Sequence, residues 1–425
     1  MSVPTAESRL AATQSPELIW FGAGPRRWQL LDGVAETAAV VLPAGAARHH
    51  WRLLQPDRAD VIHVLAELDA ARRSGLAVAA IVTYEAGLCL QPPAAHVWPL
   101  QGRPQPAVPV LAAVAFDPAV LVQHALPAGS PVAGSGTPLA AATEPLGRQQ
   151  QAFEAAVADV LERIAAGEVY QVNLTADALW PAPVVPAPLR LAAAVLAAQP
   201  IPFGLCWHDK DFTVVSGSME RFVSVRDGQI AARPIKGTAP RFADPAQDLA
   251  SRDTLLASHK ERAENLMIVD MMRNDLQRVC VRGTVQVQEL LAAVPYKTLW
   301  HLESEIVGQL QDPMDLVQLL CQTLPPASVT GCPKVQALQV IAHHEPTWRG
   351  PYCGVLGVAL PDGRQDWSVA IRTLVFANER TRLQVGAGLV ADSQPALEWQ
   401  ELLHKATAGE RALQSALQAC SAGRS

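Results

Sequence analysis

Two pairs of glutamates carry the first chemical signal in this 425-residue chain. Glu261 and Glu264 stand three apart in Lys260-Glu261-Arg262-Ala263-Glu264-Asn265, and Glu398 and Glu401 stand three apart in Glu398-Trp399-Gln400-Glu401. On a helix, positions i and i+3 share a face. Two helices that each present such a pair can surround a hard divalent cation, and oxygen-only ligands favour Mg2+ over zinc or copper. The same spacing also suits a solvated helix face. Glu401-x-x-His404 has the spacing of a di-iron carboxylate motif, but that motif needs a four-helix bundle, which the strands of this chain contradict.

Lys236 lies in Arg233-Pro234-Ile235-Lys236-Gly237-Thr238. A lysine between an apolar residue and a glycine, just past a strand, is a candidate for partial desolvation. Burial makes the neutral, nucleophilic amine available; an ordinary surface lysine is the plain alternative. Gly386-Ala387-Gly388 follows a strand, and Thr330-Gly331-Cys332-Pro333 precedes a helix. Free backbone N–H groups at such places hold carboxylates or phosphates, or simply form tight turns. Neither run matches a P-loop or a dinucleotide fingerprint. Arg372, inside an apolar strand, offers a planar fork to a substrate carboxylate or to an internal acid. His301, between Trp300 and Leu302, reads on its own as a core histidine. No Gly-x-Ser-x-Gly elbow occurs, so a serine hydrolase has little support.

The elements that must position these residues are mixed. Val61, Val64, Leu65 and Leu68 fall at helical spacing, and 79–84 reads as a buried strand. Phe153, Val157, Val160, Leu161 and Ile164 make one helical face that Gly167 ends. A strand follows at 170–175. Strand pairs at 203–207 with 212–216, and at 222–225 with 229–233, flank polar turns and read as hairpins. Helices are expected at 246–275, 313–322, 333–343 and 395–417, and strands at 353–360, 367–376 and 382–386. Without strict βαβ alternation, the expected class is α/β of the α+β type: layered mixed or antiparallel sheets with packed helices. Residues 1–125 read as an N-terminal region, 126–147 as a linker or long loop poor in charge, and 148–420 as the larger region that carries these residues.

Composition narrows the class of function. Apolar residues make up 49% and charged residues 17%, enough for a sizeable core. The net charge of −6, without a basic block, argues against nucleic acid as the main partner. No run is long and apolar enough to span a membrane, and MSVPTAESRL carries no secretory signal pattern. The seven cysteines contain no C-x-x-C, so neither a disulfide framework nor a zinc site is expected, and a cytoplasmic location fits.

Taken together, eight runs resemble the chorismate-utilising enzymes: anthranilate synthase component I, aminodeoxychorismate synthase component I, and the isochorismate and salicylate synthases. They are GEVYQVNLT at 167–175, RPIKGT at 233–238, KERAENLMIVDMMRND at 260–275, SVTGCPK at 328–334, RGPYCG at 349–354, AIRT at 370–373, GAGLVADS at 386–393 and EWQELLHKA at 398–406. They occur in family order. The N-terminal part resembles the family only through Val82-Thr83-Tyr84-Glu85-Ala86. Lys236, in PIKGT, is similar to aminodeoxychorismate synthase, where anthranilate synthases carry Ala. Gln171 stands where members that add water place a lysine base.

The resemblance implies an anthranilate-synthase-like fold, with residues 1–125 packed into the main body and 148–420 as the chorismate-binding catalytic domain, and amination of chorismate at C4 to 4-amino-4-deoxychorismate, on the route to p-aminobenzoate and folate. It implies Mg2+ held by Glu264 and Glu401, with Glu261 and Glu398 close by or acting through water. Lys236 would attack C2, and Glu220 would protonate the leaving hydroxyl. Arg372, Tyr352, Lys405, Thr330, Gly331, Gly237, Thr238 and the Gly386-Ala387-Gly388 backbone would bind substrate. His301 matches a histidine that assists pyruvate elimination in anthranilate synthase. Three departures stand out: Ser218-Met219 precedes Glu220 where the family has Ser-Pro, Cys332 replaces an Ala, and Trp399 replaces a Tyr. No Cys-centred glutaminase motif is present and the chain ends near 425, so ammonia is expected from a separate glutaminase subunit. Anthranilate synthase component I and a non-catalytic chorismate- or glutaminase-binding subunit are the alternatives.

Overall fold

The structure, a computed structural model, describes residues 15–24, 26–55, 57–91, 108–127, 142, 145–181, 185–296 and 298–422. Apolar alternation sets its layering. In the strand Ala77–Val82, Ala77, Ala79 and Ile81 join one apolar cluster and Val78, Ala80 and Val82 another, as a pleated strand requires. All six are buried, so both faces of this strand are covered. Glu17–Phe21 divides likewise, Leu18 and Trp20 against Ile19 and Phe21. Leu18, Trp20, Ala79 and Ile81 meet between two sheets, where the rings of Trp20 and Phe116 lie 6.2 Å apart. Helices cover the outer faces, Pro188–Ala198 on the first sheet and Arg58–Arg73 on the second.

The first sheet runs edge to edge through Gly331–Cys332, Gln171–Pro181, Arg380–Leu389, Thr373–Ala377, Phe212–Ser218, Phe203–His208, Glu17–Phe21, Ala38–Leu42 and Val122–Ala125. The second runs through Ile235–Pro240, Leu299–Gln309, Gln229–Arg233, Arg221–Arg226, Gln365–Val369, Val355–Ala359, Ala77–Val82, Leu111–Phe116 and His49–Leu53. Gln286–Pro295 pairs the other edge of Leu299–Gln309. Pairing is antiparallel throughout the described strands, as the expected fold class has it. Strands of the first 125 residues lie within both sheets: Glu17–Phe21 pairs Phe203–His208, and Ala77–Val82 pairs Val355–Ala359. Most of 126–147, expected as a linker, lies outside the described residues.

Three expected elements are corrected. The helix read over 246–275 is two, Pro245–Ala257 and His259–Gln277; Ser258 ends the first and caps the second, its hydroxyl accepting from Glu261 N at 3.3 Å. The strand read over 367–376 is also two. Gln365–Val369 pairs in the second sheet and Thr373–Ala377 in the first, and Arg372 takes φ 52° where the chain crosses between them. The strand read over 79–84 stops at Val82, because Thr83 caps the short helix Tyr84–Cys89 by accepting from Ala86 N.

A buried hub ties the first region to the rest. Arg349 donates to both carboxylate oxygens of Glu345 at 2.6 and 2.8 Å, to Val329 O at 2.8 Å and to Asn173 O at 2.6 Å. Its guanidinium lies 4.4 Å from the centre of the Tyr84 ring. The Glu85 carboxylate accepts Arg349 N and Gly350 N at 2.7 and 2.9 Å. Arg349→Met would leave Glu345 buried without its partner. Breaking a buried pair from one side costs about 3–5 kcal/mol. A urea titration is expected to show that loss as a lower midpoint with an unchanged slope.

Candidate active site

The site forms where the chain crosses between the sheets. The two crossings run side by side: Val369 N donates to Glu220 O at 3.1 Å, and Ser218 Oγ donates to Val369 O at 2.6 Å. Glu220 sits on one crossing and Arg372 on the other. The Glu220 carboxyl is buried, and burial pushes it up to about 7, against a hydrogen bond from Ser328 and the charge of Lys236. Its Oε1 has no protein partner.

Lys236 comes from the edge strand Ile235–Pro240 of the second sheet and reaches the first sheet. A Cβ built on Gly388 would lie 3.3 Å from Lys236 Nζ and 3.3 Å from Gln171 Nε2. The lysine and the amide therefore converge on one point of the strand Arg380–Leu389. Gln171 is fully buried, yet neither of its amide atoms has a partner, and Asn173 Nδ2 also has none. Buried polar atoms are normally paired. These orphans, with Glu220 Oε1, leave unpaired donors and acceptors available to a polar guest.

Next to it lies the acidic cluster. Glu261 falls in the first turn of His259–Gln277 and Glu398 in the first turn of Pro395–Ala422. Helix N-termini favour negative charge there. Gly237, at φ 85°, is a glycine for a steric reason as well, since a Cβ would stand 2.8 Å from Glu261 Oε2. Burial and neighbouring carboxylates push Glu261 and Glu264 up, against the charges of Lys236 and Lys260. Glu401 is held low, because Lys405, Lys260 and Lys236 outweigh its burial. Ser393 Oγ donates to Glu398 Oε1 at 2.7 Å. Four carboxylates and no sulfur or imidazole suit a hard divalent cation. As they stand they do not grip one: among the described residues no three His, Cys, Asp or Glu side chains form a ligating group. Instead an ammonium lies among them, Lys260 Nζ being 3.9 Å from Glu264 Oε1 and 4.0 Å from Glu398 Oε1.

The expected carboxylate binders gather around Gly386. A Cβ on Gly386 would meet Asn173 Nδ2 at 3.0 Å and Tyr352 OH at 3.1 Å. Lys405 Nζ donates to Gly386 O at 2.9 Å and pairs with Glu401 at 2.6 Å. The Arg372 guanidinium donates to Lys405 O, and Ala387 is buried between its two glycines. The turn residues are more occupied. Thr330 Oγ1 donates to Pro326 O at 3.0 Å, and Gly331 lets the backbone approach Gln171 O, which a Cβ would meet at 2.1 Å. Thr238 is exposed on its edge strand, opposite His301 in the ladder. His301 is buried and tilted against Tyr296, ring centres 4.3 Å apart. Burial, helped by the charge of Arg372, pushes it down to about 4, so its ring is neutral near pH 7. Its Nδ1 has no hydrogen-bond partner.

Three residues at the site escaped the sequence reading. Ser328 and Asn173 are small polar residues whose roles depend on contacts distant in sequence. Lys260 carried a usable signal, since it stands four residues before Glu264 on one helix face.

A match over 248 residues, at 40% identity, is to aminodeoxychorismate synthase component 1 of Escherichia coli and takes in 58% of this chain and 54% of that one. A match over 293 residues, at 38% identity, is to anthranilate synthase component 1 of Streptomyces coelicolor and takes in 66% of this chain and 56% of that one. The chain thus spans about half the length of these relatives. Its fold is similar to that of anthranilate synthase component I from Streptococcus pneumoniae, with a TM-score of 0.67 at 23% identity over 81% of this chain and 85% of that one. It is also similar to the menaquinone-specific isochorismate synthase of Escherichia coli, with a TM-score of 0.65 at 20% identity over 94% and 89% of the two chains. Residues 18–410 match the chorismate binding enzyme model, and the chain belongs to that family.

Proposed function

We propose that this chain replaces the C4 hydroxyl of chorismate with an amino group, giving 4-amino-4-deoxychorismate, in a Mg2+-dependent reaction. The observation that carries this reading is that Glu220, a buried acid raised to about 7, feels the charge of Lys236, whose amine lies beside the buried, unpartnered amide of Gln171. A nucleophilic amine and a proton donor are the two groups that an allylic displacement requires.

In the proposed reaction the Lys236 amine bonds to C2, the ring double bonds shift, and the C4–O bond breaks. Glu220 gives its proton to the departing oxygen, which leaves as water. Ammonia then bonds to C4, the double bonds shift back, and the C2–N bond to Lys236 breaks. Glu220 recovers a proton from the new ammonium. Arg372, Tyr352 and Lys405 hold the substrate carboxylates, and the Gly386-Ala387-Gly388 strand forms the wall against which the ring lies. Bound Mg2+ supplies positive charge against the ring carboxylate; Glu264 and Glu401, with Glu261 and Glu398, would hold it. The relatives' names call each a component 1. A separate glutaminase is the proposed source of ammonia.

Amination at C2 with loss of pyruvate, the anthranilate reaction, is the second reading. It is favoured by His301, buried beside the site with a free Nδ1, and by the relative named anthranilate synthase. Lys236 speaks against it.

Gly388→Ala places a methyl group against both Lys236 Nζ and Gln171 Nε2. The two side chains must give by a few tenths of an ångström, which misplaces the reacting amine; chorismate kcat/KM is expected to fall roughly tenfold or more in steady-state assays.

The proposal is tested by chorismate consumption with an ammonium salt and no partner. Consumption is expected with Mg2+, stops on chelation and returns on adding Mg2+ back. No consumption under any of these conditions would sink the enzymatic reading in favour of a binding subunit.

A further inference from the structure

Three lysines stand around the acidic cluster, and they are not held alike. Lys405 is fixed by two short contacts, to Gly386 O at 2.9 Å and to Glu401 at 2.6 Å. Lys236 points to the strand that bears Gly388. Lys260 differs from both. Its ammonium stands 3.9 Å from Glu264 and 4.0 Å from Glu398, near both and too far to hydrogen-bond either. Glu264 and Glu398 come from different helices, so the ammonium bridges the two glutamate pairs. The Lys260 side chain is 44% exposed, against 4% for that of Glu398.

We propose that Lys260 is a built-in counter-cation: its ammonium group occupies the acidic cluster when no divalent ion is bound, and it swings into solvent when one binds. This rests on the reading of Glu261, Glu264, Glu398 and Glu401 as a cation site. The physical case has three parts. Four carboxylates brought together repel one another, and a cation among them relieves that repulsion. The Lys260 ammonium lies within 4.0 Å of a carboxylate from each of the two helices, so both glutamate pairs attract it. A long, flexible side chain with an open path to water and no hydrogen bond to break is the element most readily displaced by a doubly charged ion. Lys260 therefore sets the affinity of the cluster by competition and protects the empty enzyme from self-repulsion.

The test uses Mg2+ alone, with no substrate, on the full chain. Calorimetric titration of Lys260→Met is expected to give a Mg2+ affinity about tenfold or more above that of the unmodified protein, because the competing charge is gone. Lys260→Arg keeps the charge and is expected to bind Mg2+ no more tightly than the unmodified protein. In chelator the Lys260→Met protein is expected to melt at a lower temperature than the unmodified protein, and saturating Mg2+ closes that gap. Lys260→Gln, with a polar side chain at this exposed position, should repeat the affinity gain. Equal or weaker Mg2+ binding by both neutral variants would overturn the proposal while leaving the cation site standing. No Mg2+ binding by any of these proteins would overturn the cation site and the proposal with it.

Discussion

Lys236→Ala is expected to cut formation of 4-amino-4-deoxychorismate by about 10^3-fold or more, the scale of loss when a covalent nucleophile is removed. The side chain sits on an edge strand and is half-buried, so its truncation removes chemistry before it removes structure. Intact-mass measurement during turnover should find a substrate adduct on the unmodified protein and none on the variant. Without the lysine to block C2, the variant's residual product should shift toward anthranilate. Full-rate formation of the C4-aminated product by Lys236→Ala would refute the lysine as nucleophile.

Glu220→Gln is expected to lower kcat by roughly 10^2- to 10^4-fold, the range of general acid catalysis. The pH dependence follows from its environment. Burial raises the carboxyl to about 7, so near neutrality a good fraction keeps its proton. A donor works only while protonated. The acid-dependent part of kcat is therefore present below about pH 7 and is lost as pH rises through that value. In Glu220→Gln this limb should be absent, leaving a flat, low profile. An unchanged limb in the variant would assign it to another group.

Most of the candidate site was legible in the sequence, because its residues stand in short ordered runs. Lys236, Glu264 and Arg372 each stand in such a run, and the fold gathers them. What the runs do not show is how the chain bends between them. Residues 367–376 have the apolar pattern of a single strand, yet the chain changes sheet at Arg372; periodicity registers burial, and residues on both sides of the crossing are buried. The break at Ser258 was readable, since Ser258-x-x-Glu261 is a capping box. The strands Gln286–Pro295 and Leu299–Gln309 were missed. Leu291 takes φ 56° inside the first, and their ladder shifts register, so neither shows clean alternation. The clasp of Glu85 on Arg349 and Gly350 spans more than 260 residues, beyond the reach of local pattern. Ser328 and Asn173 share that limit: Ser328 meets Glu220, and Asn173 meets Gly386, only once the chain has folded back on itself.

Product identity after incubation with chorismate, Mg2+ and a nitrogen-15 ammonium salt tests the central claim most directly. The account predicts an aminated ring that carries the heavy nitrogen at C4 and retains its pyruvyl group, seen by mass spectrometry and located by nuclear magnetic resonance. Labelled anthranilate with an equal amount of free pyruvate would contradict it and establish the second reading in its place.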